Sequence, residues 1–328
     1  MQDPQVSGGH VPVMLQEVLA ALPETKNNGL LVDMTFGGGG YSQAFLEKTP
    51  FTVLGLDRDP AAIKRGGALQ SLFPSRLKLV ETCFSGVAEA LVKAGLCSKE
   101  QAHAGRVVDA VVMDLGVSSF QLDEADRGFS FMRNGPLDMR MGSSPRTAAD
   151  IVADSSEDEL ASIFWAYGEE KAARKIARHL VARRKEQPFT ETKQLADAVV
   201  EVKPRRYNDR IHPATLVFQA LRMVVNDELG EIEKALGQAA KLLKAGGALI
   251  VVSFHSLEDR VVKKAFADLA DKKSHVNKYR PDENEGADGY LLPFKGVRAP
   301  TAAECALNPR ARSAKMRVLI RKTERSAA

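Results

Sequence analysis

The sequence predicts an α/β protein: an open sheet interrupted by a helical insertion. Three observations predict it. Leu30-Leu31-Val32 is a short apolar run that ends in Asp33, and a turn with four consecutive glycines, Gly37 to Gly40, follows closely. About one βαβ unit later a second apolar run, Phe51 to Leu56, ends in Asp57. From about Phe120 to about Pro213 no strand pattern occurs, and the α/β alternation returns only afterwards.

Each element follows from local pattern. Leu30–Met34, Phe51–Asp57, Leu77–Glu81 and Val107–Asp114 are short and continuously apolar, as strands buried on both faces are. Tyr41–Lys48 and Pro60–Ser71 read as the helices between them, and Asp59-Pro60 reads as a helix start with proline at the first position. The insertion begins with a loop, Arg127 to Met141, rich in Gly, Met, Phe and Arg. Helical patterns follow at Ser156–Tyr167, Glu169–Lys185 and Thr192–Val202. In the middle one Ala172, Ile176 and Leu180 form an apolar stripe, while Lys171, Lys175, Arg178 and Lys185 lie mostly on another face. Thr215–Ala245 reads as one long helix ended by Gly246-Gly247, before the strongest strand, Ala248–Phe254. A final strand, Met316–Arg321, follows a long loop from Lys272 to Arg312. The expected organisation is residues 1–119 and 214–328 as one split α/β domain, with residues 120–213 as the insertion.

Composition narrows the setting. The 328 residues carry 46 Lys and Arg against 42 Asp and Glu, a net charge of only +4, but the bases cluster. They gather at Lys171–Lys185, Lys203–Arg210 and Arg310–Arg325, with acids at Asp154–Glu159 and Asp282–Asp288. Clustered base on a nearly balanced chain points to a positive face and a nucleic-acid partner. No apolar run approaches the ~20 residues of a membrane span, and Met1 to Val11 lacks the form of a secretory signal, so a cytoplasmic protein is expected. Cys83, Cys97 and Cys305 are widely spaced and offer neither a disulfide framework nor a metal site. No metal is expected.

A strand that stops at a glycine turn, beside one that stops at a carboxylate, is how open α/β sheets hold a nucleoside cofactor. Glycine lets the backbone approach the ligand, and the acid accepts from ribose hydroxyls. A dinucleotide fingerprint needs a third glycine, but Ser42 and Gln43 stand in its two possible places. The spacing Asp33-x-x-x-Gly37-x-Gly39 instead resembles the first motif of S-adenosylmethionine (SAM) methyltransferases, so the sheet is expected to be Rossmann-like with SAM as cofactor. Ligands in such sheets bind beyond the strand ends, which carry Asp33, Asp57, Phe84, Asp114 and Ser253-Phe254-His255. Phe84 suits packing against adenine or the core. Asp114 opens a Gly/Ser turn and is the candidate acceptor for hydrogens of an exocyclic amine. No cysteine lies near Asp114, which argues against carbon-5 cytosine methylation. His10, His212 and His255 are isolated; His255 is the candidate for a catalytic role because it follows the strongest strand.

Long segments resemble one family, the bacterial 16S ribosomal RNA (cytosine N4)-methyltransferases. They include His10–Leu15, Asp33–Gly40, Asp57–Pro60, Asp114–Ser119, Arg127–Arg133, Gly135–Met141, Tyr167–Glu170, His212–Thr215, Ser253–Arg260 and Asn308–Ser313. The resemblance implies SAM-dependent methylation of a cytidine N4 in the decoding centre of the small ribosomal subunit. By position it implies cofactor contacts at Gly39, Gly40, Tyr41, Asp57, Phe84, Asp114 and Gln121, with Asp33 nearby. Tyr41 replaces a common histidine and Phe120 a common proline, so at Tyr41 only a backbone contact is expected. Arg127, Arg133, Arg140, Lys171, Lys175 and Arg178 are the candidate RNA contacts. Two other readings compete: an amino methyltransferase on DNA, and a non-catalytic ribosome-assembly factor with the same fold. A partial signature, Asp-Leu-Gly-Val at Asp114 where amino methyltransferases often show Asp-Pro-Pro-Tyr, argues mildly against DNA.

Overall fold

The computed structural model describes residues 12–25, 28–209, 211–270 and 289–323. His10, Val11, Arg210, the acids at 282–288 and Arg325 lie outside them. The chain divides into two compact units, residues 1–116 with 229–328, and residues 117–228.

The first unit is built on seven strands: β1 (Leu30–Asp33), β2 (Thr52–Asp57), β3 (Leu77–Glu81), β4 (Val108–Asp114), β5 (Leu243–Ser253), β6 (Tyr290–Leu291) and β7 (Lys315–Arg321). Their order in the sheet is β3-β2-β1-β4-β5-β7-β6. The first five are parallel, and β7 runs antiparallel to β5 and β6. Alternation explains the unbroken apolar runs. Val111 and Met113 of β4 pack into the core on one face with Leu236 and Phe266. Ala110 and Val112 pack on the other with Phe45 and Tyr41. The strand order turns at β1 and β4, the switch point where such sheets open a crevice for ligands. Asp33 is paired with Gly55 and Val112 in register, which brings three carboxylate-bearing strand ends together.

Helix Gly40–Lys48 leaves β1 through the glycine turn, with Gly39 capping it at φ 79°. Helix Pro60–Leu72 starts as its sequence indicates, with the Asp59 side chain accepting from the Ala61 amide.

The second unit carries helices Ala148–Asp154, Glu157–Gly168, Ala173–Arg183, Thr192–Val202 and Thr215–Val225 around one core. The insertion therefore runs beyond the boundary expected at Pro213. Val217, Phe218 and Leu221 share the core of Leu160 and Phe164. A Cβ at Gly168 would lie 2.6 Å from the Leu216 carbonyl, so the two helices approach at backbone distance.

Other expectations are corrected. The single helix expected over Thr215–Ala245 is two, Thr215–Val225 and Glu228–Leu242, with Asp227 left-handed at φ 46° between them. Asn226 makes the break useful: its amide accepts from Met141 N (2.9 Å) and donates to Met139 O (2.8 Å). Gly246-Gly247 do not end a helix; β5 has already begun at Leu243, and Gly246 (φ 78°) lies within the strand beside a register shift. The middle helix of the insertion starts at Ala173, because Glu169 is left-handed (φ 50°) and the buried Glu170 carboxylate accepts from Ala172 N (2.9 Å). The stretch expected as a loop up to Arg312 contains β6 and helix Ala302–Leu307.

Candidate functional site

The carboxylates at the ends of β1, β2 and β4 each have a distinct setting. Asp33 is fully buried. Its Oδ2 accepts from Ser42 Oγ (2.7 Å) and its Oδ1 from Thr35 N (3.1 Å). Burial nevertheless pushes its carboxyl up to about 6, against the opposing pull of Ser42 and Thr35. Asp57 holds the glycine turn: its Oδ2 accepts from Gly37 N (2.8 Å) and its Oδ1 from Asp59 N (2.8 Å). Burial raises its proton affinity too, offset by those two amides and by Arg65.

Asp114 differs from both. Its amide donates to Thr35 Oγ1 (2.7 Å), which ties β4 to the β1 turn. Its side-chain Oδ1 is buried and has no hydrogen-bond partner among the described residues. Burial, followed by the charges of Asp33 and Glu258, pushes this carboxyl well above the usual range. A crevice that gathers the buried acids Asp33 and Asp114 beside Asp57, whose charge Arg65 partly offsets, fits a positively charged ligand. SAM carries a sulfonium and an ammonium, and when bound it would supply an activated methyl group. Asp57 could hold its ribose, and Asp33 and Asp114 could face its charged end.

The glycine turn fits the same ligand. Gly39 N donates to Phe36 O (2.7 Å), and at φ 79° a Cβ there would lie 2.9 Å from Phe36 Cζ. A side chain at Gly39 would meet Phe36 and Leu69, so the turn packs tightly against the core there, while Gly38 beside it is exposed. Gly40 starts the helix, leaving its amide free of a preceding turn of helix. Tyr41 is buried in the core beside Phe45, and its hydroxyl donates to the Val13 carbonyl. The side chain is thus committed away from a ligand, and only its backbone is available. Phe84 begins a short 3-10 turn after β3 and packs half-buried against the sheet core.

His255 follows β5 and is 16% exposed at its side chain. Its Nδ1 accepts from Glu258 N (3.4 Å), which assigns the ring proton to Nε2. Nε2 lies 3.0 Å from Glu258 Oε1, but the two are not aligned as a hydrogen bond. Thr35, Ser42 and Glu258 were not singled out from sequence. Ser42 was noted only as the residue that breaks the dinucleotide fingerprint; in the structure it anchors Asp33.

In the second unit Gln121 is buried in helix Ser119–Asp123, where its side chain accepts from Ser118 N (3.0 Å). The Arg127–Met141 segment is a braced core element: Phe129, Leu137, Met139 and Met141 are buried. Arg140 grips Asp138 through Nε and Nη2, each at 2.8 Å. Arg127 donates to the Arg140 carbonyl (3.1 Å) and lies over the Phe129 ring, and Arg133 donates to the Asp123 carbonyl (3.1 Å). Lys171, Lys175 and Arg178 are exposed. Lys175 reaches the Val202 carbonyl (3.3 Å), and Arg178 meets Glu157 at 3.2 Å with 76% of its side chain exposed. Such open pairs are worth little and yield readily to a phosphate. Among the described residues no group of His, Cys, Asp and Glu could hold a metal, and no helix is long and apolar enough to cross a membrane.

An α/β sheet with a glycine turn after β1 and acids at the ends of β1, β2 and β4 is the kind of arrangement that holds a nucleoside cofactor. Residues 7–322 match the model of the MraW methylase family. A protein of Rhodospirillum rubrum named ribosomal RNA small subunit methyltransferase H is 49% identical over 317 residues, covering 95% of this chain and 94% of that one. A Brucella ovis protein of the same name is 49% identical over 317 residues, covering 97% and 88%. The chain belongs to the MraW methylase family and is a methyltransferase.

The acids set a pH dependence. A cation favours ionised Asp33, so cofactor affinity is expected to fall as pH drops below about 6. The sign for folding is opposite. With its folded value raised from 3.8 to about 6, Asp33 favours the ligand-free fold at low pH, and that contribution is lost as pH rises through about 6. The thermal shift produced by SAM is therefore expected to be larger above this value than below it. Differential scanning fluorimetry with and without cofactor across pH checks this; a shift independent of pH contradicts it.

Proposed function

We propose that this methyltransferase moves the methyl group of SAM to the N4 exocyclic amine of a cytidine in the decoding centre of 16S rRNA, in the cytoplasm. The observation that carries this reading is Asp114 Oδ1, buried at the end of β4 and without a hydrogen-bond partner among the described residues. The names of the relatives support small-subunit rRNA as the substrate. The resemblance at Asp114–Ser119 and Ser253–Arg260 supports the cytidine amine.

The amine of cytosine is a poor nucleophile because its lone pair is delocalised into the ring. An acceptor at one amine hydrogen localises that pair and takes up developing charge. Asp114 Oδ1 has the open valence for this. As the N–C bond forms and the C–S bond breaks, sulfur keeps the electron pair and the amine proton passes to Asp114. Beyond that, the protein's work is alignment. Asp57 and the glycine turn fix the cofactor, and the target base leaves its stack to reach it.

RNA is held through its phosphates, and Lys171, Lys175 and Arg178 are the open candidates. Arg127, Arg133 and Arg140 contribute what remains of their hydrogen-bonding capacity after bracing their own segment. The double variant Lys171→Glu/Lys175→Glu is expected to weaken RNA binding about tenfold at moderate salt and to flatten the salt dependence. Filter binding across a salt series checks this; an unchanged slope removes both lysines from the interface. Transfer of labelled methyl to purified small subunits, with duplex DNA in parallel, tests the substrate. Label in DNA alone overturns the reading, and label in neither favours the assembly factor.

A further inference from the structure

Glu258 is a buried acid that the mechanism above does not use. It stands in the first turn of helix Ser256–Ala270, directly after β5, and is 0% exposed. Its Oε2 accepts from Phe254 N (2.8 Å) and His255 N (3.3 Å). That is a helix-capping arrangement, in which the third residue of the helix reaches back to the amides before it. Capping alone needs one neutral acceptor oxygen, which glutamine supplies as well. Burying a carboxylate completely is costly, and caps are ordinarily left in water.

The second oxygen shows what the charge can do. Oε1 lies 4.0 Å from where a Cβ on Gly116 would stand, under the turn that leaves Asp114. The register pairs Asp114 with Val252, so the end of β4 and the Phe254–His255 turn are neighbours. Among the described residues, charged and titratable groups act on Asp114 from these elements. Asp33 faces it from the end of β1, the Tyr41 hydroxyl from helix Gly40–Lys48, and Glu258, with His255 against it, from beyond β5. The Tyr41 hydroxyl is committed to Val13. Among the described residues, Asp33 and Glu258 are the acids whose charges act on Asp114.

We propose that Glu258 is a positioning residue that acts through Asp114: its carboxylate clamps the Phe254–His255 turn beside the end of β4 and keeps a second negative charge there, so that Asp114 retains the proton it takes from the amine. The proposal rests on Asp114 being that acceptor. Two nearby carboxylates resist simultaneous ionisation, which makes each a better proton holder. The proton balance is simple. The N4 proton goes to Asp114 Oδ1 as the N–C bond forms, and it leaves for solvent after the neutral thioether has departed.

The test is the pH profile of kcat for methyl transfer to small subunits, with SAM affinity by calorimetry and thermal unfolding alongside. Glu258→Gln is expected to keep cofactor affinity and melting temperature close to those of the parent. Its acid limb should move to lower pH by about one unit, because Asp114 loses a like-charged neighbour. Glu258→Asp keeps the charge and is expected to keep the acid limb in place even where its shorter reach lowers the melting temperature. Glu258→Ala is expected to lose both the charge and the clamp, and Glu258→Gln should restore the melting temperature but not the pH profile. A Glu258→Gln profile that superimposes on the parent's, or the same displacement in Glu258→Asp, reduces Glu258 to a structural cap and overturns the proposal. Asp114→Asn separates this failure from the other: if that variant keeps its kcat, it is the acceptor role of Asp114 that falls.

Discussion

Asp57→Ala is expected to weaken SAM binding about 100-fold. A charged carboxylate that accepts from a ribose diol contributes roughly 1.5–3 kcal/mol per hydrogen bond, and each 1.4 kcal/mol is about tenfold in affinity. The substitution has a second effect. Asp57 also accepts from the amides of Gly37 and Asp59, so its removal loosens the glycine turn that faces the cofactor. Asp57→Asn keeps one acceptor oxygen and is expected to lie between the two, about tenfold weaker than the parent. Calorimetric titration gives the affinities, and thermal unfolding of the ligand-free variants shows how much of the loss is a loosened turn. An Asp57→Ala protein with unchanged affinity would remove the ribose assignment.

Asp114→Asn is expected to lower kcat by about 10²–10³-fold, the scale on which removal of one group at a developing charge acts. Asparagine preserves the shape and one acceptor oxygen but cannot take the amine proton. The effect should therefore fall on the chemical step and less on cofactor affinity. Single-turnover transfer to small subunits, with cofactor and subunits both saturating, isolates that step. Full activity there would return the role of proton acceptor to another group, with His255 the other catalytic candidate from the sequence.

The acids of the crevice were legible because each ends an apolar run and precedes a turn, which marks a strand's carboxyl end. Asp33, Asp57 and Asp114 all have that signature. Their supports were not legible, because they depend on contacts between distant residues. The Asp114 amide finds Thr35 across 79 positions, and no local pattern announces that bond. Ser42 carries no signal beyond being small and polar. Glu258 reads as an ordinary acid in the first turn of a helix until its complete burial is known.

The same limit explains the misplaced boundaries. Gly246-Gly247 suits a helix end and a bulged strand equally well, and only pairing with β4 decides between them. The break at Asn226 arises from a side chain that holds Met139 and Met141 some 85 positions away. The Arg127–Met141 segment shows the opposite case. Its arginines suggested an RNA-facing loop, yet Asp138 stands two residues before Arg140 and takes its Nε and Nη2. That local pair was available in the sequence and bore on how much of Arg140 remains for a phosphate.

The most direct measurement is mass spectrometry of 16S rRNA fragments from cells with and without this protein. The expected result is an N4-methylcytidine in a decoding-centre fragment that disappears when the protein is absent and returns when purified protein and methyl donor are added to the unmodified subunits. An N4-methylcytidine signal unchanged by removal of the protein contradicts the assignment.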